Sequence, residues 1–352
     1  MAGESPSPPL ALTMGEPSGI GGELALKAWL RRQEKAVPPF LSIDDPDRLA
    51  RLAASLGWAV PVVAIADPAE AAALFSRALP VLPQPLAIDC RPGHPNVANA
   101  AAVIGSITRA VALARDGTVA GVVTNPIHKA ALYQGGFGFP GHTEYLAHLL
   151  GVTGQEVMML VCPHLRVVPV TIHQPLAQAI AGLTSDAIVA AGQTTAQALV
   201  RDFAIARPRL VVAGLNPHAG EGGAMGSEDQ EIVLPAVIRL RAQGIEVQGP
   251  LPADTLFHAR ARAGYDAALC MYHDQALIPL KTIDFDGGVN VTLGLPIVRT
   301  SPDHGTALAL AGRGEAMEGS LLAALSLAAR IVRAADGLRE AARMAASRRG
   351  HG

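Results

Sequence analysis

Residues 209–226 read RLVVAGLNPHAGEGGAMG, and this stretch carries the pattern that decides the fold. It begins with a continuous apolar run, passes through a histidine into a glycine-rich loop, and is followed by the helical pattern SEDQEIVLPAVIRLRAQG at 227–244. A continuous apolar run is typical of a strand buried on both faces, as in parallel sheets covered by helices. The stretch therefore predicts one strand–loop–helix unit of an α/β fold.

The same unit recurs on both sides of this stretch. Helical patterns that begin at serine, aspartate or proline, or end at glycine, separate further strand patterns. Those strand patterns are PLALTM (9–14), VPVVAIA (60–66), TVAGVVT (118–124), EVMMLVC (156–162), LRVVPVTI (165–172), DAALCMY (266–272) and VNVTLG (289–294). We predict an α/β protein with mostly parallel sheets, and the length of 352 residues predicts two domains.

Composition and charge exclude several classes of protein. Half of the residues are apolar and 16% are charged, which is too apolar a composition for a disordered chain. The net charge of −2 does not fit a basic nucleic-acid-binding domain. The proline-rich start MAGESPSPP lacks the basic region of a signal peptide, and no stretch reaches the ~20 apolar residues of a membrane span. We expect a cytoplasmic protein without nucleic-acid or membrane partners.

Three predicted strands are followed by histidines within three residues. VPVTIH ends at His173, VVAGLNPH at His218 and ALCMYH at His273. Ligand sites in α/β sheets collect beyond the carboxyl ends of strands, and imidazole nitrogens are typical ligands of zinc, cobalt and related divalent ions. A single histidine there is more often a packed core residue or a helix cap. Three at equivalent positions predict a metal site with coordination positions left open for a substrate.

The segment PGHTEYLAHLLG at 140–151 predicts the start of a helix. Thr143 is a candidate for its N-terminal cap. His142 lies beside the helix N-terminus, where the macrodipole disfavours an imidazolium ion. We therefore predict that His142 is neutral and hydrogen-bonds an anionic or hydroxylated ligand.

Three polar residues, Lys281, Asn290 and Arg299, stand in the otherwise apolar segment 272–307. Most lysines and arginines are solvated surface groups. Two cations that flank a glycine-rich strand in a chain with few charges can instead bind phosphate or carboxylate. Both interpretations stay open on these residues alone.

The segment TMGEPSGIGGELALK at 13–27 resembles the strand–turn–helix of a nucleotide site but fits neither common fingerprint. Leu24 occupies the last glycine position of GxGxxG, and Ala28 follows Lys27 where a P-loop has serine or threonine. The segment is either an ordinary glycine turn or a backbone that approaches a ligand at a helix N-terminus.

Taken together, the strings resemble the 4-hydroxythreonine-4-phosphate dehydrogenase family over residues 13–312. The matching strings are TMGEPSGIGGEL, VTNPIHKAAL, FPGHTEYLA, VTIHQPL, LNPHAGEGGAMGSEDQEIVLPA, GPLPADTLF, YHDQALIPLK and FDGGVNVTLGLPIVRTSPDHGTA. The resemblance implies two α/β/α domains like those of isocitrate and isopropylmalate dehydrogenases, with the active site in the interdomain cleft. We expect a discontinuous first domain at 9–135 plus 300–345, and a second at 136–299 that carries the metal ligands and a dimer interface.

The resemblance also assigns roles to residues. It implies a divalent metal held by three histidines, a homodimer with each active site at the subunit interface, and substrate contacts from five further residues. The implied metal ligands are His173, His218 and His273, and the implied substrate contacts are His142, Thr143, Lys281, Asn290 and Arg299.

The implied reaction is the NAD- or NADP-dependent oxidation of a phosphorylated amino acid, 4-phosphooxy-L-threonine, in pyridoxine biosynthesis. The metal, which is zinc, cobalt, magnesium or manganese, acidifies the substrate hydroxyl, and the base is a water, Asp254 or Lys281. We expect Lys281 and Arg299 to counter the charge of phosphate and carboxylate.

Other functions remain open on the sequence. A related dehydrogenase that acts on a four-carbon sugar-acid phosphate or a cis-dihydrodiol carboxylate would share the metal and hydride chemistry. A metal-dependent lyase or an acyl-phosphate transferase on a related fold is an alternative from a different class. A binding protein without catalysis is the third alternative, although it would hold many polar residues near a core without a ligand.

Overall fold

The structure is a computed structural model that describes residues 8–349. The chain divides into two compact units. The first comprises the described residues of Met1–Gly154 together with Leu295–Val332, and the second comprises Gln155–Gly294 together with the described residues of Arg333–Gly352.

Residues 136–154 are the main difference from the sequence-based boundaries, which assign 136–299 to the second domain. They belong to the first unit and contain the helix His142–Leu150. The side chains of Tyr145 and Leu146 lie in a buried cluster with Val103 and Ile107 of the same unit. The helix therefore packs its apolar face into the first unit.

The first unit contains a parallel sheet of six strands in the order β3-β4-β2-β1-β5-β12. Its central strands are almost entirely buried, which explains their continuous apolar sequences. The strands are β1 (Leu10–Thr13), β2 (Phe40–Asp44), β3 (Val62–Ala64), β4 (Leu79–Pro83), β5 (Gly121–Val123) and β12 (Arg299–Pro302).

Helices connect the strands of the first unit. Asp45 shows how one begins: its side chain accepts a hydrogen bond from the Arg48 backbone N–H at 2.9 Å, and Pro46 occupies the first helical position. The helices are α1 (Gly21–Leu30), α2 (Pro46–Ser55), α3 (Glu70–Leu74), α4 (Ala100–Arg115), α5 (Lys129–Gln134), α6 (His142–Leu150) and the start of α12 (Gly319–Arg349), as far as Val332.

Helix α4 is part of a long apolar helical segment. The segment Val97–Arg115 is long and apolar enough to cross a membrane by length and composition alone. Its residues Val103, Ile107 and Val111 recur at helical spacing and lie in the buried core. Its apolar composition is therefore that of a buried core helix.

The second unit contains six strands in the order β11-β6-β7-β10-β8-β9. Four of them, β7, β10, β8 and β9, run parallel, whereas β6 is antiparallel to both of its neighbours in this unit. The strands are β6 (Val157–Cys162), β7 (Leu165–Pro169), β8 (Arg209–Ala213), β9 (Glu246–Leu251), β10 (Ala267–Cys270) and β11 (Val289–Leu293). The predicted α/β class with mostly parallel strands is confirmed.

The antiparallel pair of β6 and β7 follows from the length of their connection. Only Pro163 and His164 separate the two strands. Two residues close a hairpin but cannot form the crossover that parallel neighbours need.

Helices α8 and α9 of the second unit pack closely at one glycine. A Cβ atom at Gly192 would lie 2.7 Å from Cδ1 of Leu240, so a larger residue would require the buried Leu240 side chain to move. Residues Asp229–Val233 form a π-helical turn that leads into α9. The helices of this unit are α7 (Leu176–Gly182), α8 (Ser185–Phe203), α9 (Leu234–Ala242), α10 (Ala259–Arg262), α11 (His273–Ile283) and the part of α12 that begins at Arg333.

Candidate active site

The predicted site residues fall into two groups, one in each unit. The first unit holds His142, Thr143 and Arg299, and the second holds the three histidines together with Asp254, Lys281 and Asn290.

Arg299 is the first residue of β12 and is only 4% exposed. Because β12 pairs with β5, the guanidinium Nη2 reaches Thr124 just beyond β5 and donates a hydrogen bond to its Oγ1 at 2.7 Å. Burial lowers the pKa of Arg299 to about 10, and Glu144 opposes this shift. Arg299 is therefore a buried cation that remains protonated at neutral pH.

His142 is the first residue of α6, and its Nε2 atom is shielded from solvent. Within residues 8–349 that nitrogen has no hydrogen-bond partner. Burial holds the pKa of His142 well below its usual value, and the positive charges of Arg299 and Lys129 lower it further. The predicted neutral imidazole agrees with this direction, and its buried nitrogen can bond a ligand.

Thr143 does not cap the helix, so that prediction is wrong. The helix begins one residue earlier, at His142, and the preceding Gly141 makes no side-chain cap. A helix start without a side-chain cap leaves backbone N–H groups for an anion, which is a common way to bind phosphate.

The side chain of Asn125 packs against the glycine-rich segment at 13–27 and accounts for the need for glycine at position 15. It is buried, and its Nδ2 donates to the carbonyl oxygens of Thr13 at 3.0 Å and Gly21 at 3.4 Å. Gly15 has φ +67°, and a Cβ atom there would lie 2.6 Å from Cβ of Asn125. Residues 15–22 are all buried. The structure therefore favours the ordinary structural turn over a ligand loop.

In the second unit, four parallel strands bring polar residues to one edge of the sheet. His173 follows β7, His218 follows β8, Asp254 follows β9 and His273 follows β10. The carboxyl ends of parallel neighbouring strands lie side by side. These four residues therefore share one edge of the sheet, although they are up to 100 residues apart in sequence.

His173 and His273 lie next to each other, with ring centroids 5.8 Å apart. His173 has φ +34°, a strained backbone conformation for a residue with a side chain. His273 begins α11, and its Nδ1 lies 2.7 Å from Oδ1 of Asp274. This pairing leaves Nε2 of His273 as the nitrogen for a metal.

A cavity of about 410 Å³ lies beside these two rings. Gln174 and Tyr272 are among its lining residues, together with His173, His273 and Asp274. This volume is in the range of small-molecule sites.

His218 lies in a loop of unusual backbone conformation. The residues from His218 to Gly222 all have positive φ, and His218 itself is at +52°. Across residues 8–349, no group of three or more His, Cys, Asp or Glu side chains is arranged to hold a metal ion. One chain thus brings His173 and His273 together, but it does not complete a three-histidine ligand set.

The other predicted residues of the second unit lie apart from this pair in sequence and differ in burial. Asp254 is exposed in a 3-10 turn after β9. Lys281 is in the last turn of α11, with its ammonium 5.3 Å from the Phe285 ring centroid. Asn290 is in β11, and its buried Oδ1 has no hydrogen-bond partner in the described part of the chain.

Two buried residues that support these groups are not predicted from the sequence. Thr124 holds the Arg299 guanidinium, and Gln275 contacts the ends of two strands. Both lie inside strings that carried the family resemblance, VTNPIHKAAL and YHDQALIPLK, but neither residue type signals a site by itself.

Residues 36–328 match the family model described as pyridoxal phosphate biosynthetic protein PdxA. The chain is 55% identical over 329 residues to the 4-hydroxythreonine-4-phosphate dehydrogenase of Methylorubrum populi, covering 92% of this chain and 94% of that protein.

Two solved structures are also similar. One is the 4-hydroxythreonine-4-phosphate dehydrogenase of Klebsiella pneumoniae, with a TM-score of 0.84 and 38% identity over 93% of this chain and 100% of that one. The other is a terephthalate 1,2-cis-dihydrodiol dehydrogenase from Burkholderia xenovorans, with a TM-score of 0.62 and 30% identity over 91% and 96%.

Proposed function

Because the chain belongs to the PdxA family of pyridoxal phosphate biosynthetic proteins, we propose that it oxidises 4-hydroxythreonine 4-phosphate with NAD or NADP as the hydride acceptor. The family predicted from the sequence strings is confirmed, and the chain is an oxidoreductase that acts on an alcohol group. The transferase, lyase and binding-protein alternatives are therefore set aside. The observation that carries the proposal is the 55% identity over nearly the whole of both chains.

The proposed reaction takes place at C3 of the substrate. The C3 hydrogen leaves as hydride to the nicotinamide and the hydroxyl proton passes to a base, which gives 2-amino-3-oxo-4-phosphooxybutanoate. This β-keto acid loses CO2, takes up a proton and becomes 3-amino-2-oxopropyl phosphate. The reaction is a step of pyridoxine 5′-phosphate biosynthesis, which we place in the cytoplasm.

We propose that His173, His218 and His273 hold the divalent metal. The donor chemistry fits, since neutral imidazoles suit zinc and cobalt, and the open positions also accept magnesium or manganese. The adjacent rings of His173 and His273 support the assignment. When bound, the ion supplies a Lewis acid that favours the ionised substrate hydroxyl.

The chain's own cations and polar groups hold the substrate in this proposal. Arg299 is a buried, protonated guanidinium, and His142 offers a buried neutral nitrogen, so the two suit a phosphate or carboxylate and a hydroxyl respectively. Thr143 in the first turn of α6 and Asn290, with its buried Oδ1, complete the polar contacts. Lys281 adds a second cation and, with Asp254, is a candidate for the base that receives the hydroxyl proton.

We further propose a homodimer in which each active site lies at the subunit interface. In the second unit, large apolar side chains on and beside α7 and α11 are exposed, which is typical of a surface that a partner covers. These side chains are Leu176, Ile180, Ile278 and Phe285. A dimer would allow the three histidine ligands to come from two chains, in keeping with the two-histidine cluster of a single chain.

A coupled assay tests the proposed function. Full-length protein is incubated with 4-phosphooxy-L-threonine, each of the four metals and each of the two cofactors, and the reduced nicotinamide is measured by absorbance. We expect equal amounts of reduced cofactor and CO2. A protein that binds metal and cofactor but releases neither product would contradict the proposal.

One alternative substrate has an observation in its favour. The Burkholderia xenovorans enzyme, which is 30% identical, is named for a cis-dihydrodiol carboxylate. That compound and four-carbon sugar-acid phosphates are therefore the competing substrates in the same assay. Turnover of the dihydrodiol without any turnover of phosphorylated substrates would favour this alternative.

A further inference from the structure

Gln275 connects the ends of two strands that carry predicted metal ligands. It is 8% exposed, and its Oε1 accepts a hydrogen bond from the Met271 backbone N–H at 2.6 Å. Its Nε2 donates to the carbonyl oxygen of Gly214 at 2.8 Å. Met271 follows β10 and precedes His273, whereas Gly214 follows β8 and precedes His218.

The segment before His218 is held from a second side by Asp229. This carboxylate is 1% exposed and accepts hydrogen bonds from the backbone N–H groups of Leu215 at 2.8 Å and Asn216 at 3.0 Å. Every residue from 214 to 216 therefore has a backbone group bonded to a buried side chain. The backbone enters the His218 loop from a fixed position.

A fixed entry matters because the loop itself is strained. His218, Ala219 and Glu221 have positive φ although each has a side chain, and such conformations persist only where the surroundings determine them. His218 is exposed, so packing of its own ring does not hold it in place. Its position therefore depends on the backbone bonds at the start of the loop.

We infer that Gln275 is a positioning residue that fixes the His218 loop relative to the helix that begins at His273. The inference rests on the proposed function, since it concerns the proposed metal ligands. Glutamine suits this place because its amide offers one acceptor and one donor at once. Glutamate would keep the acceptor for Met271 but would face the Gly214 carbonyl with a second oxygen, and methionine would offer neither bond.

The inference is tested by metal binding to the full-length chain without substrate. Co²⁺ is titrated into metal-free protein, and the visible absorption of the bound ion reports both affinity and ligand geometry. Gln275→Met and Gln275→Glu are compared with the wild type. Loss of a partner that orients metal ligands typically weakens metal affinity about 10–100-fold, which is the decrease we expect, together with altered Co²⁺ bands.

Thr195→Val is the matched control. Thr195 is fully buried in the same unit, but its hydroxyl donates within α8, to the carbonyl oxygen of Ala191 at 2.7 Å. We expect this variant to bind Co²⁺ with wild-type affinity and spectrum. The control separates loss of a buried hydrogen bond in general from loss of the link between the strand ends.

Each outcome supports or overturns the positioning role of Gln275. Wild-type affinity and an unchanged spectrum in a folded Gln275→Met or Gln275→Glu variant would overturn the inference and leave the proposed function standing. A wild-type chain that binds no divalent ion would overturn the proposed metal site and this inference with it. If Gln275→Met does not fold, Gln275→Glu keeps one of the two bonds and gives the same comparison.

Discussion

The two groups of predicted site residues are built in opposite ways. In the first unit, Arg299 and the Nε2 atom of His142 are withdrawn from solvent; burial keeps His142 neutral, whereas Arg299 stays protonated although burial lowers its pKa to about 10. In the second unit, His173 and His218 are exposed, and what is fixed is their strained backbone. The first group is thus distinguished by buried polar atoms and the second by strained backbone, and these features suit the substrate contacts and the metal ligands that we propose.

The largest effect is expected from removing a ligand in the second group. His218→Ala should lose bound metal and lower turnover by about 10³-fold, because a bound ion contributes several kcal/mol and each ~1.4 kcal/mol is a factor of ten. The measurement is metal content together with kcat. His164→Ala, an exposed histidine in the same unit, is the control. Full activity of this variant without bound metal would contradict the proposal that the three histidines hold a metal needed for turnover.

A smaller effect is expected from the buried cation of the first group. Arg299→Ala should raise the KM for a phosphorylated substrate about 10–100-fold, since a charged hydrogen bond contributes about 1.5–3 kcal/mol. The KM for the nicotinamide cofactor should change much less. Arg115→Ala removes an exposed arginine from the same unit and should leave both values unchanged. An unchanged substrate KM in Arg299→Ala would remove this residue from the site.

The neutral state of His142 predicts a dependence of stability on pH. Its folded-state pKa is lowered, so below the usual value of 6.5 the unfolded chain takes up a proton that the native state does not. Stability from this group is therefore present above pH 6.5 and is lost as the pH falls, by up to about 2 kcal/mol near pH 5. Urea unfolding at several pH values measures this loss.

The matched variants for this experiment are His142→Gln and His94→Gln. The first should lose less stability in acid than the wild type, because it cannot take up the proton. The second changes an exposed histidine of the same unit and should keep the wild-type profile. Identical acid dependence in wild type and His142→Gln would show that the imidazole titrates freely.

The smallest effect is expected at the carboxylate that orients His273. Asp274→Asn should weaken metal binding by about tenfold, at the low end for partners of metal ligands, since the Asp274 side chain is 70% exposed. Asp286→Asn, another exposed acidic residue of this unit, is the control. Metal titration by calorimetry measures the difference. Equal affinities would mean that the 2.7 Å contact does not orient the ring.

The sequence was sufficient for the fold class and for placing three histidines beyond the carboxyl ends of strands. Continuous apolar runs such as RLVVAGL became buried strands, and His173, His218 and His273 each follow a strand as predicted. The sequence-based boundaries place the helix His142–Leu150 in the second domain, whereas its apolar side chains are buried in the first unit; an apolar helical face does not reveal which unit buries it.

Other features of the site depend on long-range contacts that no local pattern contains. The hydrogen bond from Arg299 to Thr124 spans 175 residues, and that from Gln275 to Gly214 spans 61. The segment that leads to the left-handed backbone at His218 is likewise held by the buried Asp229, whose carboxylate accepts hydrogen bonds from the backbone N–H groups of Leu215 and Asn216. Sequence strings marked these segments as similar to a family, but the physical role of each residue required coordinates.

The most direct test of the account is a crystal structure of the zinc-loaded protein, with anomalous diffraction measured at the zinc absorption edge. The account predicts one anomalous peak per chain, bound by nitrogens of His173, His218 and His273 from one or two subunits at about 2.0–2.1 Å. The account would be contradicted if crystals of catalytically active protein showed no metal at these histidines, or showed the ion held by other residues.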